Sequence, residues 1–273
     1  MKRLLCATLA VCLLIPSGAF AAEYEASIPD NILSERNHAL TDYLSENLSD
    51  EMSGDVAALN AVIEQFSKEY PQYESVLSSE KNVTNSATAP KELETVDLYS
   101  SETKVSESET KGTEYYVTYY DNGCYMVGEL SYTRNEAVDA SNVSGVLSDK
   151  VGNMDANASI NPQATADGTA SANNIHNYYD NNNIFLCRTF LTASFYYDNT
   201  NNRKFCQPTG WSGNQRVRNN NFTYLPAGYN YTHPYNDSVA RVQRTQRFYE
   251  RGYHLLDDDL RISCNHLGTI FKN

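Results

Sequence analysis

The stretch Glu114–Arg134, EYYVTYYDNGCYMVGELSYTR, decides how this chain is read. Two runs of aromatic and β-branched residues flank Asp121-Asn122-Gly123. An Asn-Gly pair between such runs is a strong short-range signal for a β-hairpin, because the tight turn needs residues that tolerate positive φ. Downstream, Phe185–Tyr197 (FLCRTFLTASFYY) alternates Leu191, Ala193, Phe195 and Tyr197 with Thr192, Ser194 and Tyr196, so a strand there has one apolar and one half-wet face. Asp198-Asn199-Thr200-Asn201-Asn202 turns the chain into Arg203–Cys206. Further strands are expected at 221–225, 238–249, 260–264 and 269–271. Short strands with polar turns predict a mainly antiparallel sandwich-like or barrel-like domain over 114–273. Between its strand blocks lies an Asn/Ala/Ser-rich excursion at 135–183, with a weak helix over Ala137–Val151.

Working toward the N-terminus, residues 78–113 are rich in Ser, Thr, Glu and Lys and read as a flexible linker. Its three Ser-x-x-Lys matches carry no catalytic meaning, since a serine–lysine site needs a buried lysine in a preformed pocket. Residues 22–77 read as an acidic helical segment. Ile32, Leu33, Leu40, Tyr43, Leu44 and Leu48 recur at helical spacing after Asn31. Val56, Leu59, Val62, Ile63 and Phe66 form a second stripe that opens at Asp55 and ends before Pro71. Two helices bury too little to stand alone, so they are expected to dock on the β-rich module. The fold class is therefore α+β.

Lys2-Arg3, the apolar run Leu4–Ile15 and Ala19-Phe20-Ala21 form a secretory signal peptide over 1–21. The run is too short to span a bilayer, and no later stretch reaches that length, so a secreted chain without a transmembrane segment is expected. Export makes the remaining cysteines, Cys124, Cys187, Cys206 and Cys264, candidates for two disulfides. Three pairings are open, and Cys206–Cys264 with Cys124–Cys187 is preferred. No Cys-x-x-Cys clamp or His spacing points to a bound metal, and Asp155–Ser159 and Asp180–Asn183 read as Asn-rich turns rather than calcium loops.

Charge is distributed unevenly. The chain carries 21 basic and 34 acidic residues, and residues 23–111 hold 19 of the acids against 6 bases. Residues 185–273 have 6 acids and 11 bases. Arg241, Arg244, Arg247 and Arg251 recur within one segment. On a strand, Arg241, Arg247 and Arg251 share a side while Arg244 faces the other. This face, with Trp211, Tyr229, Tyr231 and Tyr235, is the candidate binding surface. Aromatic faces stack on sugar rings, and arginines attract anionic polymers or membranes. The composition and the export signal speak against nucleic acid. His233, His254 and His266 lie near Asp237 and Asp257-Asp258-Asp259, a triplet that reads as a turn. With no Gly-x-Ser-x-Gly, His-Glu-x-x-His or phosphate loop, no catalytic residue and no cofactor is assigned. The chain reads as an extracellular binding protein for a cell-envelope or glycan-type partner. The alternative is an antibacterial or membrane-active precursor whose acidic segment is an inhibitory pro-region.

Overall fold

Asp55 opens a helix as its sequence position demands. In the computed structural model its carboxylate accepts hydrogen bonds from Ala57 and Ala58 N–H, at 2.8 and 3.1 Å. The structure describes residues 30–73, 90–136, 167–200, 204–217, 222–232, 238–250 and 253–272. The expected signal peptide, the expected helix at Ala137–Val151 and the segment Asp155–Ser159 lie outside these residues. Helix α1 (Asp30–Asn47) and helix α2 (Val56–Glu69) are separated by a short 3-10 turn at Asp50–Met52, and Gly54 adopts φ 76° between them. Their stripes bury as spaced: Leu40, Tyr43, Leu44 and Leu48 from one, Leu59, Ile63 and Phe66 from the other.

Ten strands follow. A six-stranded antiparallel sheet runs in sequence order through β1 (Glu92–Lys104), β2 (Glu109–Tyr120), β3 (Tyr125–Glu136), β4 (Asp167–Tyr179), β5 (Phe185–Asp198) and β6 (Phe205–Val217). A four-stranded sheet is ordered β10-β9-β8-β7, from β7 (Phe222–Thr232), β8 (Val239–Glu250), β9 (Tyr253–Asn265) and β10 (Ile270–Phe271). The α+β expectation holds, and the hairpin at Asn122-Gly123 joins β2 to β3.

Three readings are corrected. The linker assigned to 78–113 contains β1 and the start of β2. Val96 and Leu98 of β1 pack against the helices, while Glu92, Glu94, Asp97 and Glu102 line an edge strand where charge discourages further pairing. The excursion at 135–183 contains β4. Its segment Thr169-Ala-Ser-Ala-Asn173 alternates exposed polar with buried alanine, which composition alone disguises as a loop. Asp257-Asp258-Asp259 is the middle of β9 and no turn.

The EYYVTYY run is continuously apolar because both its faces are covered. Tyr115, Val117 and Tyr119 point to the helices, together with Tyr125, Val127 and Tyr179. Tyr116 and Met126 point the other way, to Phe248 and Leu256 of the small sheet. Further along, Leu191, Ala193 and Phe195 meet Val242, Leu260 and Ile262. The architecture is thus helices, large sheet, small sheet, in three layers. Polar contacts lock the first layer down. Arg36, buried in α1, donates to Gly123 O at 2.5 Å with its guanidinium 5.1 Å from the Tyr125 ring centroid. The Glu129 carboxylate accepts from Ser53 Oγ and from Gly54 N–H. Tyr179 OH donates to Asn60 Oδ1 at 2.8 Å.

A recurring device shapes the large sheet. Tyr116, Gly128 and His176 lie in one register row across β2, β3 and β4. Having no side chain at Gly128 lets the Tyr116 ring lie over β3 and reach His176. Tyr132 crosses Gly112 in the same way to donate to Glu102 at 2.7 Å, and Tyr197 crosses Gly168 to reach Asn135 O at 3.3 Å. A methyl group at Gly128 would fall inside the Tyr116 ring. The Gly128→Ala variant is expected to lose about 1–3 kcal/mol by overpacking, read as a lower urea midpoint with unchanged m-value.

Candidate functional site

The sequence-derived candidates separate once β8 is placed. In its pleat, Arg241 and Arg247 face outward, where Arg241 Nε donates to Ser263 Oγ at 3.1 Å and Arg247 pairs with Asp257 at 2.9 Å. Alongside, Asp259 pairs with Arg261 and accepts from Gln243 at 2.7 Å. This outer face is therefore a charge-matched ladder rather than a free basic stripe. Arg244 faces inward, as strand periodicity implies. It is 7% exposed, donating to the carbonyls of Phe190 and Asn214 and to Gln215 Oε1. It ties the two sheets together, which removes it from the binding surface. Tyr229 and Tyr231 pair in register with Arg244 and Val242. Tyr235 and Arg251 lie outside the described residues, as does His233. Trp211, 44% exposed on edge strand β6, pairs with buried Ala193. Among the described side chains, Arg241 and Arg247 share the outer face of β8 while Arg244 lies on the opposite face.

The expected disulfides are absent from the structure, in which all four cysteines are free thiols. Cys206 and Cys264 belong to the same buried cluster between the sheets. Cys187 is in another, against which Cys124 packs. Among the described residues no group of three metal-ligating side chains gathers. Asp180–Asn183 is the β4–β5 turn, with the Asp180 carboxylate accepting from the N–H groups of Asn182 and Ile184 and Asn183 at φ 60°.

Two features escaped the sequence reading. The first is a buried polar chain between the sheets. Asp258 Oδ1 accepts from Tyr178 OH and from His176 Nδ1–H, both at 2.6 Å. Tyr116 OH lies 2.8 Å from His176 Nε2 and 3.2 Å from Asn174 Oδ1. Asn174 Nδ2 in turn donates to Arg261 O at 2.9 Å, back across the interface. Asp258 is 0% exposed and His176 6%, so no substrate has access. Burial, reinforced by the Asp258 charge, holds the hydroxyls of Tyr116 and Tyr178 far above the ordinary tyrosine range. Neutral hydroxyls of that kind are donors, not bases or nucleophiles, and the arrangement works as an inter-sheet clamp.

The second feature is the open part of the large sheet's helix-side face. The helices cover only one end of the strands. Beyond them, register places Ser131, Asn173, Thr192 and Ser212 in one row across β3 to β6. The next row is Thr133, Ser171, Ser194 and Gly210, and the third holds Asn135, Thr169, Tyr196 and Gln207. Thr169, Ser171, Asn173 and Ser212 are exposed, and their row neighbours on β5 are half-buried. Thr192 Oγ1 donates to Asn173 Oδ1 at 2.7 Å, fixing that amide in the row. The half-buried ring of Phe190 stands at the helix end of this patch, and the Tyr196–Phe205 ring pair at the other, with centroids 6.3 Å apart. Strand spacing of about 4.8 Å and a repeat of about 6.7 Å along each strand make this a flat lattice of small hydroxyl and amide groups. No residue of the three rows on β3 to β6 is charged.

The chain matches no protein-family model, no curated protein and no solved structure.

Proposed function

We propose that this chain is an exported, non-enzymatic binding protein whose ligand is a neutral glycan of the cell exterior, taken up on the Ser/Thr/Asn face of the large sheet. The observation carrying this reading is the uncharged three-row lattice with aromatic rings at its two ends. Its chemistry selects the ligand class by exclusion. Nucleic acid and anionic lipid demand clustered cations, which the rows lack. Protein partners demand a buried aromatic or arginine anchor at the centre of the patch, where this face has serine and asparagine. Apolar small molecules demand a concave, oily pocket. A polyhydroxylated chain lying flat meets many weak donors and acceptors at once, and rings stack on its sugar faces. Export is supported by Lys2-Arg3, the apolar run and Ala19-Phe20-Ala21.

The precursor reading rests on the charge split along the chain. The helices, however, cover Tyr119, Tyr125 and Tyr179, so their removal would bare aromatic core. That favours a permanent layer over a cleavable inhibitor.

Co-sedimentation of the full chain with insoluble polysaccharides, including peptidoglycan, β-glucan and chitin, tests the proposal. Ser171→Lys with Ser194→Lys plants two long cations in the second row without touching the core. At least one polysaccharide is expected to retain the wild type, and the double variant to lose tenfold or more in affinity with its melting temperature within about 2 °C of wild type. Retention of full affinity by that variant, or of none by the wild type, overturns the assignment.

A further inference from the structure

We propose that Cys206 and Cys264 are a disulfide-forming pair that cross-links the two sheets, and that Cys124 and Cys187 remain thiols. Cys206 opens β6, opposite Tyr197, at the edge of the large sheet. Cys264 closes β9, opposite Ala240 and Ile270, in the small one. Both are fully buried in the same cluster, between the facing sides of the two sheets. Cys264 pairs in register with Ala240, and Cys206 Sγ lies within hydrogen-bonding reach of Cys264 Sγ, so the two sulfurs are neighbours across the interface.

Register separates the other two thiols. Cys187 pairs with Tyr178, and Tyr178 with Met126, so β4 runs between Cys187 and the β3 strand that Cys124 precedes. Two inter-strand steps, with Cys124 two residues further along than Met126, put the Cα atoms more than about 10 Å apart, beyond the roughly 4.4–6.8 Å that a bridge spans. Burial also pushes the Cys124 thiol up to about 12 and the Cys187 thiol upward, which keeps both protonated and inert.

The oxidant is a disulfide: a small-molecule disulfide, or the active-site disulfide of a thiol oxidoreductase in the compartment that receives the chain. The Cys206 thiolate attacks one of its sulfurs, forming a mixed disulfide and expelling one thiolate. Cys264, losing its proton, then attacks Cys206 Sγ and expels the second. Two protein thiols are oxidised, the donor disulfide is reduced to two thiols, and the two protons end on the leaving sulfurs. Both sulfurs are enclosed in the folded state, so the exchange precedes the closing of the sheets.

Full-length protein is refolded with oxidised glutathione, then denatured in iodoacetamide without reductant, digested and mapped by mass spectrometry. One cross-linked peptide pair joining Cys206 to Cys264 is expected, with Cys124 and Cys187 both carbamidomethylated. The faster non-reducing gel mobility of the cross-linked chain should vanish in a Cys206→Ser, Cys264→Ser double variant. Alkylation of all four cysteines, or a bridge that includes Cys124 or Cys187, overturns the proposal. Glycan binding plays no part in this readout, so the two proposals fail separately.

Discussion

Raising the pH past 10 is expected to unfold this protein in one cooperative step centred near pH 11. The chain has 21 tyrosines, and an unusual share of them form its core. Tyr116, Tyr119, Tyr125, Tyr178 and Tyr179 are each 5% exposed or less. Burial raises all five, Tyr119 to about 12 and the others further. Asp258 adds to the rise at Tyr116 and Tyr178, while Arg36 and Arg188 oppose it at Tyr125 and Tyr179. The folded state then binds these protons more tightly than the unfolded chain, whose tyrosines titrate near 10. Stability is therefore intact below about pH 10 and is lost as pH rises toward the folded values. Each such group contributes about 1.4 kcal/mol of loss per pH unit, so five remove about 7 kcal/mol by pH 11, comparable with a domain's whole stability. Tyrosinate absorbance near 295 nm and far-ultraviolet circular dichroism, followed together, should change in a single coincident step. Gradual ionisation without loss of secondary structure would refute this account of the core.

Replacing Asp258 with alanine is expected to cost about 3–5 kcal/mol, because breaking a buried charged network strands its remaining partners. The carboxylate accepts from Tyr178 and His176 at the interface of the two sheets, and neither donor has water at hand. Asp258→Asn, which keeps an acceptor oxygen, should lose less. The double variant His176→Ala, Asp258→Ala should be more stable than the sum of the single losses predicts, since removing both partners leaves fewer unmet groups. Urea unfolding monitored by tyrosine fluorescence gives each value. A single-variant loss under 1 kcal/mol would mean that the clamp does not hold the sheets together.

Much of the architecture is legible along the chain. The Asn122-Gly123 hairpin, the Asp55 cap and the alternation of Leu191, Ala193, Phe195 and Tyr197 are local signals, and local physics honours them. β1 and β4 were not legible, because each gains its identity from its neighbours. The segment ELETVDLYSSETK needs the β2 edge and the helices to bury Val96 and Leu98. Thr169-Ala-Ser-Ala-Asn173 needs β3 and β5 to either side before small residues make a strand. The surroundings of the candidate arginines were not legible either. The arginines drew notice as isolated cations, yet Arg247 has Asp257 opposite it, and Arg244 spans the interface.

What the amino-acid order settled alone was the two helices, the Asn122-Gly123 hairpin and the strand periodicity that turns Arg244 away from Arg241 and Arg247. These follow from side-chain alternation and turn chemistry within a few residues. Register did the rest. It brought Ser131, Asn173, Thr192 and Ser212 into one row from four separate strands, set Tyr116 over Gly128 against His176, and gave Asp258 its partners from β4. Pairing between distant strands is chosen by the summed burial of whole faces, and no short stretch of sequence contains that sum.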